Sequence, residues 1–306
     1  CQPKWTNVSI MRNRNTLLFA ILFGCILLGF SGSSFNAPPS VKTKKITILY
    51  TNDTHSRIEP FAANDKKFAK LGGYARRAAY INQVRKEEKN VLLFDAGDVF
   101  QGTPYFNFFH GELEFELMSM MGYNAMTIGN HEFDGGLEGL NFALPYAKFD
   151  ILSANYDFSE TIIKDKVQPY HIYTVDGIKV GVFGLGVALD GMVSPANSGK
   201  TKYLDPLEKA AEIAFLLKKT KKCDLVVCLS HLGFSYEDNQ VSDQVMAKQS
   251  KNIDLIIGGH THTFLDKQFV CKNSDNEDVI ITQTGWGGTR VGRVDFYFTN
   301  NKPFKN

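Results

Sequence analysis

The chain has 306 residues, 43% hydrophobic and 22% charged, which is ordinary globular material with room for one large core or two small ones. Its formal charge is +2, and removing Lys4, Arg12 and Arg14, the only charges before Ala37, leaves 31 basic against 32 acidic residues. So even a balance gives no electrostatic case for nucleic-acid binding.

Residues 1–37 read as targeting rather than fold. Met11-Arg12-Asn13-Arg14 is a basic start, Leu17 to Phe30 an apolar stretch, and Ser31 to Ala37 small, polar and loose. This is the outline of a secretory signal peptide and predicts a secreted or periplasmic protein. An apolar run of about 14 residues falls short of the roughly 20 that span a bilayer, so no stable membrane span is expected after cleavage. Residues 1–10 precede Met11 and fit no signal design, as an extension from a start codon placed too early would. Cys25 is followed by more apolar chain, which lipid-attachment sites normally lack.

Strand-like and helical runs then alternate. Lys45 to Tyr50 and Val91 to Phe94 are β-rich, and between them Gly73 to Lys89 carries Tyr74, Ala78, Ile81 and Arg85 at helical spacing. A helix is expected from about Glu112 to Met121 before the strand Ala125 to Ile128, and another from about Leu137 to Lys148 before Ile151 to Ala154. Asp176-Gly177, between the runs Tyr170 to Val175 and Ile178 to Leu185, is a two-residue hairpin signal. Leu207 to Lys219 and Val241 to Ser250 read as helices. Leu225 to Leu229, Leu255 to Ile257, Val279 to Thr282 and Val291 to Phe298 read as strands. This order implies a layered α/β fold, two mixed β-sheets packed together and flanked by helices.

Five short clusters follow strand-like runs: Asp53-Thr54-His55, Gly97-Asp98, Gly129-Asn130-His131-Glu132 with Asp134, Ser230-His231-Leu232-Gly233, and Gly258-Gly259-His260-Thr261-His262. In an α/β protein such loops gather along one edge. Asp53 and His55, two apart, would point the same way in extended chain and reach one ion. Asp98 is a carboxylate able to bridge two cations, Asn130 offers an amide oxygen, and His231, His260 and His262 offer imidazole nitrogens. Carboxylate, amide and imidazole without thiolate suit Mn²⁺, Zn²⁺ or Fe, and so many ligands exceed one tetrahedral ion but suit two sharing Asp98. Two ions roughly 3.5–4 Å apart form a clamp for phosphoester hydrolysis. His131, beside Asn130, is placed to face the substrate, with Asp134 three residues on to orient it as a catalytic pair.

The series D-x-H, G-D, G-N-H-E, H and G-H-x-H resembles the calcineurin-like metallophosphoesterases. Leu49 to His55, Gly97-Asp98 with Gln101-Gly102-Thr103-Pro104, Gly129 to Asp134, Ser153-Ala154-Asn155-Tyr156 and Ser230 to Gly233 narrow the likeness to the 5′-nucleotidase and 2′,3′-cyclic phosphodiesterase family. The resemblance runs from about Lys44 to Phe298, making 44–299 the expected catalytic domain. It implies one ion on Asp53, His55, Asp98 and His262, a second on Asp98, Asn130, His231 and His260, and hydrolysis of a small phosphoester, a nucleotide, by attack of a metal-bound water. Members of that family usually continue into a second domain that holds the nucleoside. Here the sequence stops at Asn306, so a truncated chain, a separately encoded nucleoside-binding domain and a different phosphoester are the open alternatives.

Two other functions compete: hydrolysis of a sulfur-oxyanion ester, and a non-catalytic binding module on the same scaffold. The unaltered Gly129 to Glu132 text favours phosphate, and the full ligand set favours an enzyme. The remaining candidates take structural readings. His110 and His171 belong at the surface, Phe106, Phe108 and Phe109 in core or interface packing, and Arg76 and Arg77 on a solvated helix face. Cys223 and Cys228 are expected on opposite faces of one strand, and no CxxC pattern competes with the histidines for metal.

Overall fold

Period-two alternation of aliphatic side chains builds the centre of the protein. The computed structural model describes residues 43–238 and 240–299 and the backbone of 302–304. These belong to one compact unit, Val41–Asn306; the expected signal segment and Cys25 fall within residues 1–40, outside the described residues. The first strands are Thr43–Thr51 (β1), Val91–Asp95 (β2), Ala125–Thr127 (β3), Asp150–Leu152 (β4), Tyr156–Asp157 (β5), Tyr170–Val175 (β6) and Ile178–Gly186 (β7). Lys202–Tyr203 (β8), Leu225–His231 (β9), Leu255–Gly258 (β10), Phe269–Lys272 (β11), Asp278–Thr282 (β12), Gly292–Thr299 (β13) and Lys302–Phe304 (β14) complete them. The helices are Tyr74–Glu87 (α1), Pro104–Phe109 (α2), Glu112–Met120 (α3), Gly136–Ala143 (α4), Pro195–Ser198 (α5), Pro206–Phe215 (α6) and Asp243–Gln249 (α7).

Two six-stranded sheets result, one in the order β14-β13-β1-β2-β3-β4 and the other β11-β12-β10-β9-β7-β6. The inner strands are parallel, β1 to β4 in the first sheet and β7, β9, β10 and β12 in the second, while β13, β14, β6 and β11 pair antiparallel at the flanks. Both sheets are therefore mixed, as the sequence implies.

Ile46, Ile48, Leu92 and Phe94 of the first sheet meet Val180, Val182, Val227, Leu229, Leu255 and Ile257 of the second in one buried layer. At roughly 1.5–3 kcal/mol for each fully buried aliphatic or aromatic side chain, this layer is a main source of stability. The alternate residues face outward: Leu49 and Leu93 pack with residues of α1, α3 and α4, and Val226, Cys228 and Ile256 with residues of α6 and α7. The layers run helix, sheet, sheet, helix.

Local chemistry sets the element ends. Asp205 caps α6 by accepting from the N–H groups of Leu207 and Glu208, with Pro206 at the first helical position. Ser242 caps α7 through Val245 N–H. Asp176 and Gly177 both take positive φ, 51° and 76°, in the two-residue hairpin that the sequence predicts.

Several expectations need correction. The helix predicted to reach Lys148 stops at Ala143, because Pro145 cannot supply the N–H of a continuing α-helix and the chain tightens into a 3₁₀ turn. The buried stripe of α1 is Tyr74, Arg77, Ile81 and Val84, so Arg77 lies inside and only Arg76 is exposed. Cys223 precedes β9 and packs in the same cluster as Cys228, so strand alternation does not separate them. Cys223, Cys228 and Cys271 are all unbonded. Phe106 is in the core, whereas Phe108 and Phe109 are exposed on α2, a helix the sequence reading missed. No helix among the described residues is long and apolar enough to cross a membrane.

Candidate metal centre

All five clusters lie at the carboxyl ends of parallel strands. Loops after β1, β2 and β3 bring Asp53 and His55, Asp98, and Asn130 and His131 from one sheet, while His231 ends β9 and His260 and His262 follow β10 in the other. The loops are tied together by backbone hydrogen bonds: Asp53 N–H donates to the Gly97 carbonyl at 2.9 Å and His55 N–H to the Asp98 carbonyl at 3.0 Å. The second sheet joins through His260 N–H, which donates to the Asp53 carboxylate at 3.0 Å.

The backbone reaches this arrangement by a route that strand alternation does not describe. Asp53, His55, Asp98, His260 and His262 have φ of 48°, 47°, 56°, 71° and 52°. Left-handed conformations are uncommon for residues other than glycine, and five among the predicted ligands, in the loops after β1, β2 and β10, mark tight turns that aim side chains. Asp53 and His55 thus converge through a left-handed turn after β1 has ended at Thr51, and the extended-chain expectation for them is corrected.

Metal-competent atoms fall into three groups, each with its atoms within 4.8 Å of one another: Asp53, His55 and His262; His55, Asp98 and His131; and Asp98, His231 and His260. Asp98 thus neighbours His55 on one side and His231 with His260 on the other. Asn130 Oδ1 lies 3.0 Å from His260 Nδ1. His55 Nε2 and His262 Nε2 are 3.0 Å apart, about the separation of two imidazoles on one ion with bonds of about 2.1 Å.

His231 is the most telling of these residues. Its Nδ1 lies 2.7 Å from the Ala96 carbonyl, which fixes the proton there and leaves Nε2 as a lone pair. That Nε2 is fully buried, makes no hydrogen bond, and sits 3.0 Å from Asp98 Oδ2. With the ring neutral, Nε2 and the carboxylate oxygen are two acceptors facing each other, an arrangement that a proton or a cation between them satisfies.

Charge in the site follows from these contacts. Burial opposes ionisation of Asp98, but His231 overrides it and holds the carboxyl well below the usual range. Burial opposes protonation of His231, yet with no ion on Nε2 Asp98 beside it pushes the imidazole up to about 10, so a cation bound there would take the place of a proton. Burial lowers His260 to about 4 and lowers His55 as well, keeping both rings neutral and ready to ligate. His131 goes the other way: its Nδ1 lies 2.8 Å from Asp134 Oδ2, and that hydrogen bond raises it to about 9. His131 is half exposed beside His55, with ring centroids 5.2 Å apart.

Residues 46–264 match the calcineurin-like phosphoesterase family. The chain belongs to the calcineurin-like phosphoesterase family. It is 35% identical to the trifunctional nucleotide phosphoesterase protein YfkN of Bacillus subtilis, covering 90% of this chain and 20% of that protein. It is 34% identical to the snake venom 5′-nucleotidase of Crotalus adamanteus, over 92% of this chain and 48% of the relative. Among solved structures, a 5′-nucleotidase precursor from Thermus thermophilus superposes with a TM-score of 0.75 at 33% identity, covering 86% of this chain and 53% of that one. The NAD nucleotidase of Haemophilus influenzae gives the same TM-score at 30% identity, covering 86% and 49%. The chain thus spans a fifth to about half of these relatives.

Several supports of this phosphoesterase centre carry no clear signal in the sequence. Asp95, fully buried, accepts from Thr51 Oγ1 at 2.5 Å and from Gly97 N–H at 2.9 Å, and burial raises it to about 6. Asn52 donates to Asp53 Oδ2 and to the Gly285 carbonyl, both at 2.6 Å, and accepts from Thr284 N–H, tying the first loop to the glycine-rich turn 284–288. Trp286 in that turn stacks on His262 at 5.7 Å and 13°. An aromatic residue between glycines was the only hint of it. His110 is exposed as expected, and His171 is half exposed beside Asp150 at 3.2 Å, distant in the fold from the centre.

Proposed function

We propose that the chain is a dinuclear metal-dependent phosphoester hydrolase acting on nucleotides, of the 5′-nucleotidase or 2′,3′-cyclic phosphodiesterase kind. The observation that carries this reading is Asp98, placed between His55 and the pair His231 and His260, with the His131–Asp134 pair at the open side. Asp53, His55, Asp98 and His262 would hold one divalent ion and Asp98, Asn130, His231 and His260 the other. A donor set of carboxylate, amide and imidazole suits Mn²⁺, Zn²⁺ or Fe. The ions supply Lewis acidity toward the phosphoryl oxygens and a nucleophile at neutral pH.

The chain's own residues do the remainder. Asp53 and Asp98, held by backbone N–H groups, keep the imidazoles of two sheets in register. His131, protonated through its bond to Asp134, donates toward the phosphoryl group, stabilising developing negative charge or protonating the leaving oxygen. The names of the relatives support the substrate class. A secreted or periplasmic location completes the proposal, supported by the composition of Met11 to Ala37 and by relatives that include a venom protein and a precursor.

The test is hydrolysis of a nucleoside monophosphate, a cyclic nucleotide, an aryl phosphate and a sulfur-oxyanion ester by metal-stripped and Mn²⁺-loaded protein. Metal-dependent release of phosphate from the monoesters, or opening of the cyclic nucleotide to a nucleoside monophosphate, is the expected result. Turnover of the sulfur ester alone, or of none of them with metal bound, would refute the assignment.

A further inference from the structure

Glu132 lies next to the catalytic candidates but has neither a ligand nor a catalytic assignment. It sits in the 3₁₀ turn His131–Phe133 and is 0% exposed. Its Oε2 accepts from the N–H groups of Asp98 at 3.0 Å and Gly129 at 2.7 Å, and its Oε1 from those of Val99 at 2.8 Å and Phe100 at 3.3 Å. Four backbone donors from two different strand-end loops thus converge on one carboxylate. A return tie runs from His131 N–H to Asp98 Oδ1 at 2.9 Å.

The physical consequence is specific. The loop after β2 carries Asp98, and the loop after β3 carries Asn130. Only acceptors meet these four N–H groups; an amide in the same place would turn donor atoms toward donors, and a shorter side chain would release one loop. Hydrogen bonds to a buried carboxylate are among the stronger kind, and leaving buried N–H groups without a partner is unfavourable. The Asp53, His55 and His262 group touches the Asp98 loop through the bonds from Asp53 N–H to the Gly97 carbonyl and from His55 N–H to the Asp98 carbonyl, and is otherwise tied through Asn52 to the turn 284–288.

We propose that Glu132 is a positioning residue that fixes the spacing between the Asp98 and Asn130 loops and thereby governs chiefly the affinity of the ion held by Asp98, Asn130, His231 and His260, whose two loop ligands it positions, with a smaller effect on the other ion, which shares only Asp98. The inference rests on the two-ion reading above. Residues supporting metal ligands in this way typically change affinity by roughly 10- to 100-fold when altered.

The experiment is calorimetric titration of the metal-stripped full chain with Mn²⁺, comparing wild type, Glu132→Gln and Glu132→Asp, with circular dichroism to establish folding before metal is added. The expected result is two ions per wild-type chain, and in the variants one affinity lowered roughly 10- to 100-fold with the other lowered less. In parallel, kcat of Glu132→Gln should recover as Mn²⁺ is raised, whereas a variant damaged throughout its fold would not recover. Equal weakening of both affinities, no weakening of either, or failure of both variants to fold would each overturn the inference. Fewer than two ions on the wild-type chain would instead show that the two-ion reading itself is wrong, and the inference would fall with it.

Discussion

His131 Nδ1 lies 2.8 Å from Asp134 Oδ2, three residues further along the same turn, and this contact is the largest cause of an imidazole raised to about 9. An imidazole whose folded pKa is raised stays protonated up to that pH and loses its proton above it. Asp134→Asn removes the raising contact, so the alkaline limb of the kcat profile should move to lower pH, toward the ordinary imidazole value of about 6.5. A pH–rate profile checks this, and an unmoved limb would mean that another group sets it.

His131 also lies within reach of His55 and Asp98, so its role as proton donor and a role as ligand make different predictions. With its Nδ1 committed to Asp134, His131→Ala should keep both metal ions and slow turnover by roughly 10²- to 10⁴-fold. Metal analysis of the purified variant decides: a lost ion would make His131 a ligand.

Asp98 shares one group of metal-competent atoms with His55 and another with His231 and His260. Asp98→Asn should therefore lose at least one ion and nearly all hydrolysis while far-ultraviolet circular dichroism stays native. Near-normal metal content and activity would contradict the bridging assignment.

Gly129 is required by space. A Cβ there would fall against Asp98 Oδ1 and 2.8 Å from both the Asp98 nitrogen and His231 Cε1. Gly129→Ala should destabilise the protein by about 1–3 kcal/mol, as crowding of a packed site does, and displace the Asp98 carboxylate. Urea unfolding and metal content measured together test both effects; wild-type values of each would show that the loop has slack.

Much of this centre is legible in the sequence because five of the parallel strands, β1, β2, β3, β9 and β10, lead into a side chain of unmistakable chemistry. The two-sheet core is legible for the same kind of reason, since Ile46, Ile48, Val180, Val182, Val227 and Leu229 alternate with residues facing the helices. What escapes is the direction of side chains once a strand has ended. Asp53 and His55 converge through left-handed backbone, and period-two reasoning does not apply beyond Thr51. Buried charges escape as well. Arg77 and Glu132 read as surface or motif residues from their type, yet each is buried against groups distant in sequence, Arg77 beside Tyr74, Tyr123 and Asp95, and Glu132 beneath the Asp98 loop. No local pattern announces partners that only the fold assembles.

On the proposed reading, two ions gathered around Asp98 make this chain a phosphoester hydrolase. Metal content and phosphate release from a nucleoside monophosphate, measured on the same preparation before and after chelation and reconstitution with Mn²⁺, test it most directly. Two ions per chain are expected, with release that disappears and returns with them. Release that survives complete removal of metal, or none from a chain carrying both ions, would contradict it.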